Sequence, residues 1–163
     1  MTKLFDNSRR TGRFSRRPAF RPQAEALESR NLLSGSSNNT LVWFTEFGAN
    51  RIGVIHTDTS VINSVALPAG SEPDGITVGP DGNIWFTEFG ANRIGVYHPN
   101  TNVVNTIALP AGGTEPVGIT VGPDGNLWFT EFGSNRIGMI NPVTSAITDF
   151  QLAAGSEPEG ITA

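Results

Sequence analysis

The sequence predicts an all-β fold, a β-propeller of four-stranded antiparallel blades with about three blades present. Three observations predict it. The segment Trp43-Phe-Thr-Glu-Phe-Gly-Ala-Asn-Arg-Ile-Gly-Val54 returns letter for letter at Trp85–Val96 and, with small edits, at Trp128–Met139. The copies lie 42 and then 43 residues apart, the extra residue falling in Ala111-Gly-Gly-Thr114. Each period alternates β-branched and aromatic runs with Gly, Pro, Asn and Asp turns, and no segment has helical periodicity. A fixed period of this length, rich in strand and turn formers, marks stacked copies of one β unit, and four antiparallel strands per period make one blade.

The middle repeat shows how each strand arises. Gly75-Ile-Thr-Val-Gly79 is a short β-branched run, strand A. It ends at Gly79-Pro-Asp-Gly82, a turn in which Pro presets φ and Gly accepts the left-handed conformation. Strand B is Asn83–Glu88, followed by a Phe-Gly-Ala-Asn turn and strand C, Arg93–His98. Pro99-Asn-Thr-Asn102 turns the chain into strand D, Val103–Leu109, which Pro110 ends. Gly53, Gly95 and Gly138 sit inside strands, where glycine marks a bulge or the close approach of another backbone. Trp43, Trp85 and Trp128 are expected to pack between neighbouring blades, since aromatics supply most of the burial in such cores.

The repeats occupy residues 41–163 and begin at 41, 83 and 126. The first lacks strand A, two full sets follow, and a lone A at Gly160–Ala163 brings the expected total to 12 strands. Propellers close with about 4 to 8 blades, so three leave unpaired edges and a bare inter-blade face. Two outcomes are open: a fragment of a longer product, or two copies forming a six-bladed ring in which the terminal strand of one completes the first blade of the other. The sequence stops inside a repeat, which favours the fragment.

Residues 1–40 differ in kind. Up to residue 35 eight basic residues face three acidic ones, a net of +5, whereas the rest carries three basic against 12 acidic residues, a net of −9. The Arg- and Pro-rich leader reads as a solvated export or processing segment rather than a nucleic-acid binder. It has no apolar run long enough for a signal-peptide core or a membrane span. The Arg pairs at 9–10 and 16–17 are only a faint twin-arginine signal without one. Leu27-Glu-Ser-Arg-Asn-Leu-Leu-Ser-Gly35 resembles a signature near the start of many large secreted or surface proteins of planctomycete bacteria, which implies a secreted or cell-surface location. Cysteine is absent, so no disulfide framework exists.

The recurring Glu-Pro-x-Gly-Ile-Thr-Val-Gly-Pro-Asp-Gly-Asn-x-Trp-Phe-Thr-Glu-x-x-x-Asn-Arg-Ile-Gly resembles the repeat of the virginiamycin B (streptogramin B) lyases, over residues 41–163. The resemblance implies a seven-bladed propeller of about 300 residues, of which this chain would hold under half. It also implies Mg²⁺-dependent opening of a cyclic depsipeptide lactone by elimination, a base removing the α-proton while the metal polarises the ester carbonyl. The family's metal-site Glu corresponds to the first position of Glu-Pro-x-Gly-Ile, making Glu72 and Glu115 the metal candidates. A second catalytic Glu corresponds to the end of Trp-Phe-Thr-Glu, making Glu88 and Glu131 the catalytic candidates. The family's catalytic His corresponds to x, which here holds Asp74, Val117 and Glu159.

Strand order places these acids together. In an antiparallel blade the D–A and B–C connections share one face, so Glu72, Asp74, Glu88, Glu115, Glu131, Glu157 and Glu159 are expected at one mouth. His56 and His98 end strand C and face the opposite rim. Glu46, Glu88 and Glu131 each precede an Arg (Arg51, Arg93, Arg136) by five residues across a tight turn, and a cross-strand ion pair is favoured over catalysis there. The unpaired acids Asp74, Glu157 and Glu159, with Glu72 and Glu115, form either a hard-oxygen cation site or a solvated acidic rim that binds a ligand. No P-loop, Gly-x-Ser-x-Gly or His-Glu-x-x-His signature occurs, leaving phosphate binding, serine hydrolysis and zinc proteolysis unsupported. The expectation is a lyase-like propeller inactive by itself. The alternative is a non-catalytic module binding a carbohydrate, peptide or protein at the acidic mouth.

Overall fold

The computed structural model describes residues 40–110 and 114–163. The basic leader up to residue 39, its Leu27–Gly35 signature and residues 111–113 of the longer connection lie outside these residues.

Among the described residues eleven strands form three antiparallel sheets. The first blade contains β1 (Leu41–Glu46), β2 (Arg51–His56) and β3 (Val61–Ala66). The second contains β4 (Pro73–Val78), β5 (Ile84–Glu88), β6 (Arg93–His98) and β7 (Val103–Ala108). The third contains β8 (Pro116–Val121), β9 (Leu127–Glu131), β10 (Arg136–Ile140) and β11 (Ile147–Gln151). Within each sheet neighbours in sequence are neighbours in space, the meander that a blade requires. The expected twelfth strand at Gly160–Ala163 is not formed, because among the described residues no strand B lies beside that segment to pair with it.

Turn chemistry sets these boundaries. Gly82 and Gly125 take φ of 76° and 75°, as the Pro-Asp-Gly turns require. Asp81 Oδ1 accepts hydrogen bonds from the Asn83 amide at 3.1 Å and from Trp85 Nε1 at 3.1 Å, tying the turn to the strand that leaves it. At the next turn Asn50, Asn92 and Asn135 take the left-handed conformation, which Asn tolerates better than most residues. Residues Phe47–Ala49 make a single 3₁₀ turn there.

The strand glycines have a different duty from the one expected. The ladders run unbroken past Gly53, Gly95 and Gly138, which sit opposite Phe44, Phe86 and Phe129. A Cβ at any of the three would collide with that phenylalanine's ring, so glycine makes room for a cross-strand aromatic rather than a bulge or another backbone. The register irregularities fall instead in the A–B pairing, between Pro73 and Ile76 and between Pro116 and Ile119.

Two apolar clusters join the blades. Ile52, Leu67, Ile84, Phe86 and Tyr97, with Trp43 against them, weld blade one to blade two. Trp85, Ile94, Val96, Leu109, Ile119, Leu127, Phe129 and Ile140 weld blade two to blade three. Trp43 meets Tyr97 of the next blade with ring centroids 5.5 Å apart, and Trp85 is 2% exposed, as expected of inter-blade residues. Trp128 differs: among the described residues it stacks on Phe150 of its own blade at 5.4 Å.

Candidate mouth at the start of the inner strands

Each inner strand is positioned by the asparagine of the preceding blade. Asn50 Oδ1 accepts from the Glu72 amide at 2.9 Å, and Asn135 Oδ1 from the Glu157 amide at 3.0 Å. Asn92 Oδ1 collects the Thr114 amide, the Thr114 hydroxyl and the Glu115 amide at 2.9, 2.6 and 3.0 Å. Glu72, Glu115 and Glu157 themselves have φ of 47°, 45° and 42°, a left-handed backbone that costs a non-glycine residue roughly 1 kcal/mol or more. The asparagine anchors offset that cost at each repeat.

Immediately afterwards comes the register irregularity, at Asp74-Gly75 and Val117-Gly118, and a threonine holds it. Thr87 Oγ1 accepts from the Gly75 amide at 2.8 Å and donates to the Val117 carbonyl of the next blade at 2.7 Å. Thr130 repeats this with the Gly118 amide and the Glu159 carbonyl, both at 2.8 Å, and Thr45 donates to the Asp74 carbonyl at 2.7 Å. Bulges commonly re-aim a side chain beside a site. Here they turn Asp74 and Val117 to a concavity of about 390 Å³, which Glu159 of the last segment also lines and Phe89 and Phe132 flank. Burial first, and the charge of Glu159 second, raise the Asp74 carboxyl above its ordinary value.

The acids expected at one mouth therefore divide. Asp74 and Glu159 line it. Glu72 and Glu115 are half-buried on the incoming segments, the Glu72 carboxylate lying against Gly90, and Glu157 is exposed. Glu88 and Glu131 are fully buried and do not line the concavity.

Glu88 Oε2 accepts from Arg93 Nε at 2.8 Å and pairs with Nη2 at 2.7 Å, and Glu46 pairs with Arg51, as the spacing predicted. The third pair departs from expectation. Arg136 turns to Gln151 Oε1 at 3.1 Å and Asp149 at 3.8 Å, while Glu131 accepts from Ser134 at 3.0 Å. The cause is local sequence: Asp149 and Gln151 stand where β7 has Thr106 and Ala108, and Ser134 stands where blade two has Ala91. Glu88 Oε1 and Glu131 Oε1 remain buried without a hydrogen bond. Burial raises the Glu88 carboxyl, with Arg93 opposing. Burial also raises Glu131, with Ser134 opposing, Asp149 adding and Arg136 opposing.

His98 is held between Asn83 Oδ1 at 2.9 Å and Asn105 Nδ2 at 3.1 Å, and the His56 ring meets Asn63 at 3.3 Å. Neither histidine lines the mouth. Among the described residues no group of three His, Asp or Glu side chains comes together. Sequence reasoning missed the clamp threonines, the anchoring asparagines and the flanking Phe89 and Phe132. Their exact recurrence was the available signal, but recurrence alone does not separate clamp from core.

Four-stranded blades stacked through apolar faces, with inner strands opening on one concave mouth, define a β-propeller. The chain belongs to the virginiamycin B lyase family: the profile described as "Virginiamycin B lyase family" matches residues 8–163. Catalytically inactive virginiamycin B lyase from Staphylococcus aureus, solved with quinupristin, is 42% identical over 74% of this chain and 40% of that one, with a TM-score of 0.67. A streptogramin B lyase structure is 37% identical over 76% of this chain and 41% of that one, with a TM-score of 0.70. Kuenenia stuttgartiensis hydrazine synthase, at 17% identity and a TM-score of 0.64, shares the fold alone. No curated protein matches. The chain spans about two fifths of the length of the solved lyases it resembles. Among the described residues no helix is long and apolar enough to cross a membrane.

Proposed function

We propose that these blades form part of a streptogramin-lyase-like propeller whose mouth binds a cyclic depsipeptide or a similar small ligand, and that this chain by itself does not open the lactone. The observation that carries the reading is the mouth itself. Two aromatic side chains, Phe89 and Phe132, flank two carboxylates, Asp74 and Glu159, whose backbone carbonyls the Thr45 and Thr130 clamps hold beside one concavity. Aromatic faces supply apolar contact to a cyclic peptide, and carboxylates accept its amide hydrogens.

Elimination needs a base poised near neutral pH. Imidazole has an ordinary pKa near 6.5, and carboxylates near 4. The positions that correspond to the family's His hold Asp74, Val117 and Glu159, and the catalytic candidate Glu88 is occupied by Arg93. No proton-transfer step is assigned to these residues. A complete mouth also needs a closed ring, which three blades reach only through additional blades or self-association. The Leu27–Gly35 signature supports a secreted or surface setting for the protein.

The test is incubation of the purified chain with virginiamycin B and Mg²⁺, followed by chromatography and fragmentation, because elimination leaves the ligand's mass unchanged. The ligand is expected to stay cyclic yet bind, with affinity falling about tenfold in Phe89→Ala, as for the loss of one well-placed aromatic contact. Linearised product would overturn the inactive assignment, and absence of binding would overturn the site.

A second reading is a non-catalytic module for a carbohydrate, peptide or protein. The carboxylates facing the mouth without a histidine favour it. It predicts that Asp74→Asn and Glu159→Gln weaken binding of a basic peptide while virginiamycin B shows no affinity; peptide binding unchanged by both would remove it.

A further inference from the structure

A second concavity lies away from the mouth, between blades two and three. Alternation along β5, β6 and β7 brings Trp85, Val96 and Asn105 into one row across the sheet, on the face that meets blade three. With Asp81 of the turn before β5, His98 at the end of β6 and Ser145 of the turn after β10, this row lines a crevice of about 310 Å³.

The near-identity of the repeats explains why space is left there. In the first weld the Tyr97 ring packs on Trp43 with centroids 5.5 Å apart, and its hydroxyl donates to Asn102 Oδ1 at 3.0 Å. The residues 43 places later are Ile140 and Ser145. Ile140 is buried in the second weld but has neither the ring nor the hydroxyl of Tyr97, and Ser145 is shorter than Asn102. The two smaller side chains leave room beside Trp85.

The polar groups around that room have fixed roles. Asn83 Nδ2 donates to Asp81 Oδ2 at 2.7 Å, which turns Asn83 Oδ1 to His98 Nδ1 at 2.9 Å. A carboxylate only accepts, so this order puts the proton of the neutral His98 ring on Nδ1 and leaves Nε2 to accept from Asn105 Nδ2 at 3.1 Å. Burial opposes, and hydrogen bonds from Asn83 and Trp85 prevail, in holding the Asp81 carboxyl below its ordinary value. Asp81 already accepts from the Asn83 amide, Asn83 Nδ2 and Trp85 Nε1, which leaves little of it for an ammonium group. No Lys or Arg lines the crevice to hold an anion.

We propose that this crevice binds one neutral sugar ring. Sugar hydroxyls both donate and accept, matching the Asp81 acceptor, the Asn105 amide and the Ser145 hydroxyl, while Ile107 and Pro142 offer an apolar floor to the C–H face of the ring. The volume stands at the lower end of the roughly 300–1,000 Å³ of small-molecule sites, which suits a single ring rather than a chain of them. The inference does not depend on the function proposed for the mouth.

The experiment is saturation-transfer NMR on the purified chain with D-glucose, D-galactose, D-mannose and N-acetyl-D-glucosamine. At least one is expected to bind. Ile140→Tyr combined with Ser145→Asn rebuilds the packing of the first weld inside the second, and is expected to abolish binding while far-UV circular dichroism is unchanged. Asn105 is exposed, so Asn105→Ala keeps the fold and carries the test by itself; it is expected to weaken binding about tenfold. Asp74→Asn, at the mouth, is expected to leave binding unchanged. Failure of all four sugars to bind, binding that survives Asn105→Ala or the folded double variant, or binding lost in Asp74→Asn would overturn the proposal.

Discussion

Three glutamates in the same motif position live in three environments, and the difference decides what each does. Glu88 is buried with a charged partner, Glu131 is buried with a hydroxyl donor, and Glu46 keeps 27% side-chain exposure beside Arg51. The same substitution should therefore act with different size. Glu88→Gln is expected to stabilise less than Glu131→Gln, because the charge-assisted partner that Arg93 loses offsets the release of a buried carboxylate. Glu131→Gln is expected to stabilise by about 1 kcal/mol at neutral pH, because it removes a buried carboxylate with no cation bonded to it. Urea midpoints at pH 7 check both. The pH dependence follows from the raised Glu131 carboxyl. The native state then binds this proton more tightly than the unfolded chain, so the contribution is full below the unfolded value and is lost as pH rises through the folded one. The gain from Glu131→Gln should thus shrink toward acidic pH; a gain independent of pH would contradict it. The Glu46 and Glu88 pairs were legible from a five-residue spacing. The third was not, because Asp149 and Gln151 reach Arg136 from a strand that is distant in sequence.

At the scale of the element, the hairpin from β5 to β6 depends on one ring lying over one glycine. Gly95→Ala places a methyl group into the Phe86 ring and is expected to cost about 1–3 kcal/mol, as overpacking does. Phe86→Leu made together with it should cost less than the two single changes summed, a coupling that a double-mutant cycle measures. Strictly additive costs would mean the two residues do not share this space. Strand order, the Pro-Asp-Gly turns and the B and C strands could be read from alternation and turn formers. The bulges at Asp74-Gly75 and Val117-Gly118 could not, since a glycine in a strand signals a bulge and a ring contact equally well. That ambiguity put the irregularity in the wrong hairpin and concealed how the mouth residues are aimed.

For the whole molecule, stability is a sum over neighbouring blades. Trp85, within the weld between blades two and three, should cost about 3–5 kcal/mol when changed to Ala. Trp128, packed on its own blade, should cost less, and equal shifts in thermal midpoint would contradict this ranking. The blade count was legible because the sequence repeats; the twelfth strand was not formed because a strand needs a partner that sequence alone does not supply. The asparagine anchors carry one more consequence. Asn92 sets Glu115 in the same backbone conformation that Asn50 gives Glu72, although the second connection is one residue longer. Each anchor thus resets the phase of the chain before the next inner strand begins. A one-residue change in the connection between blades is thereby absorbed before it reaches the mouth, so the outer connections can vary in length without moving the inner strands.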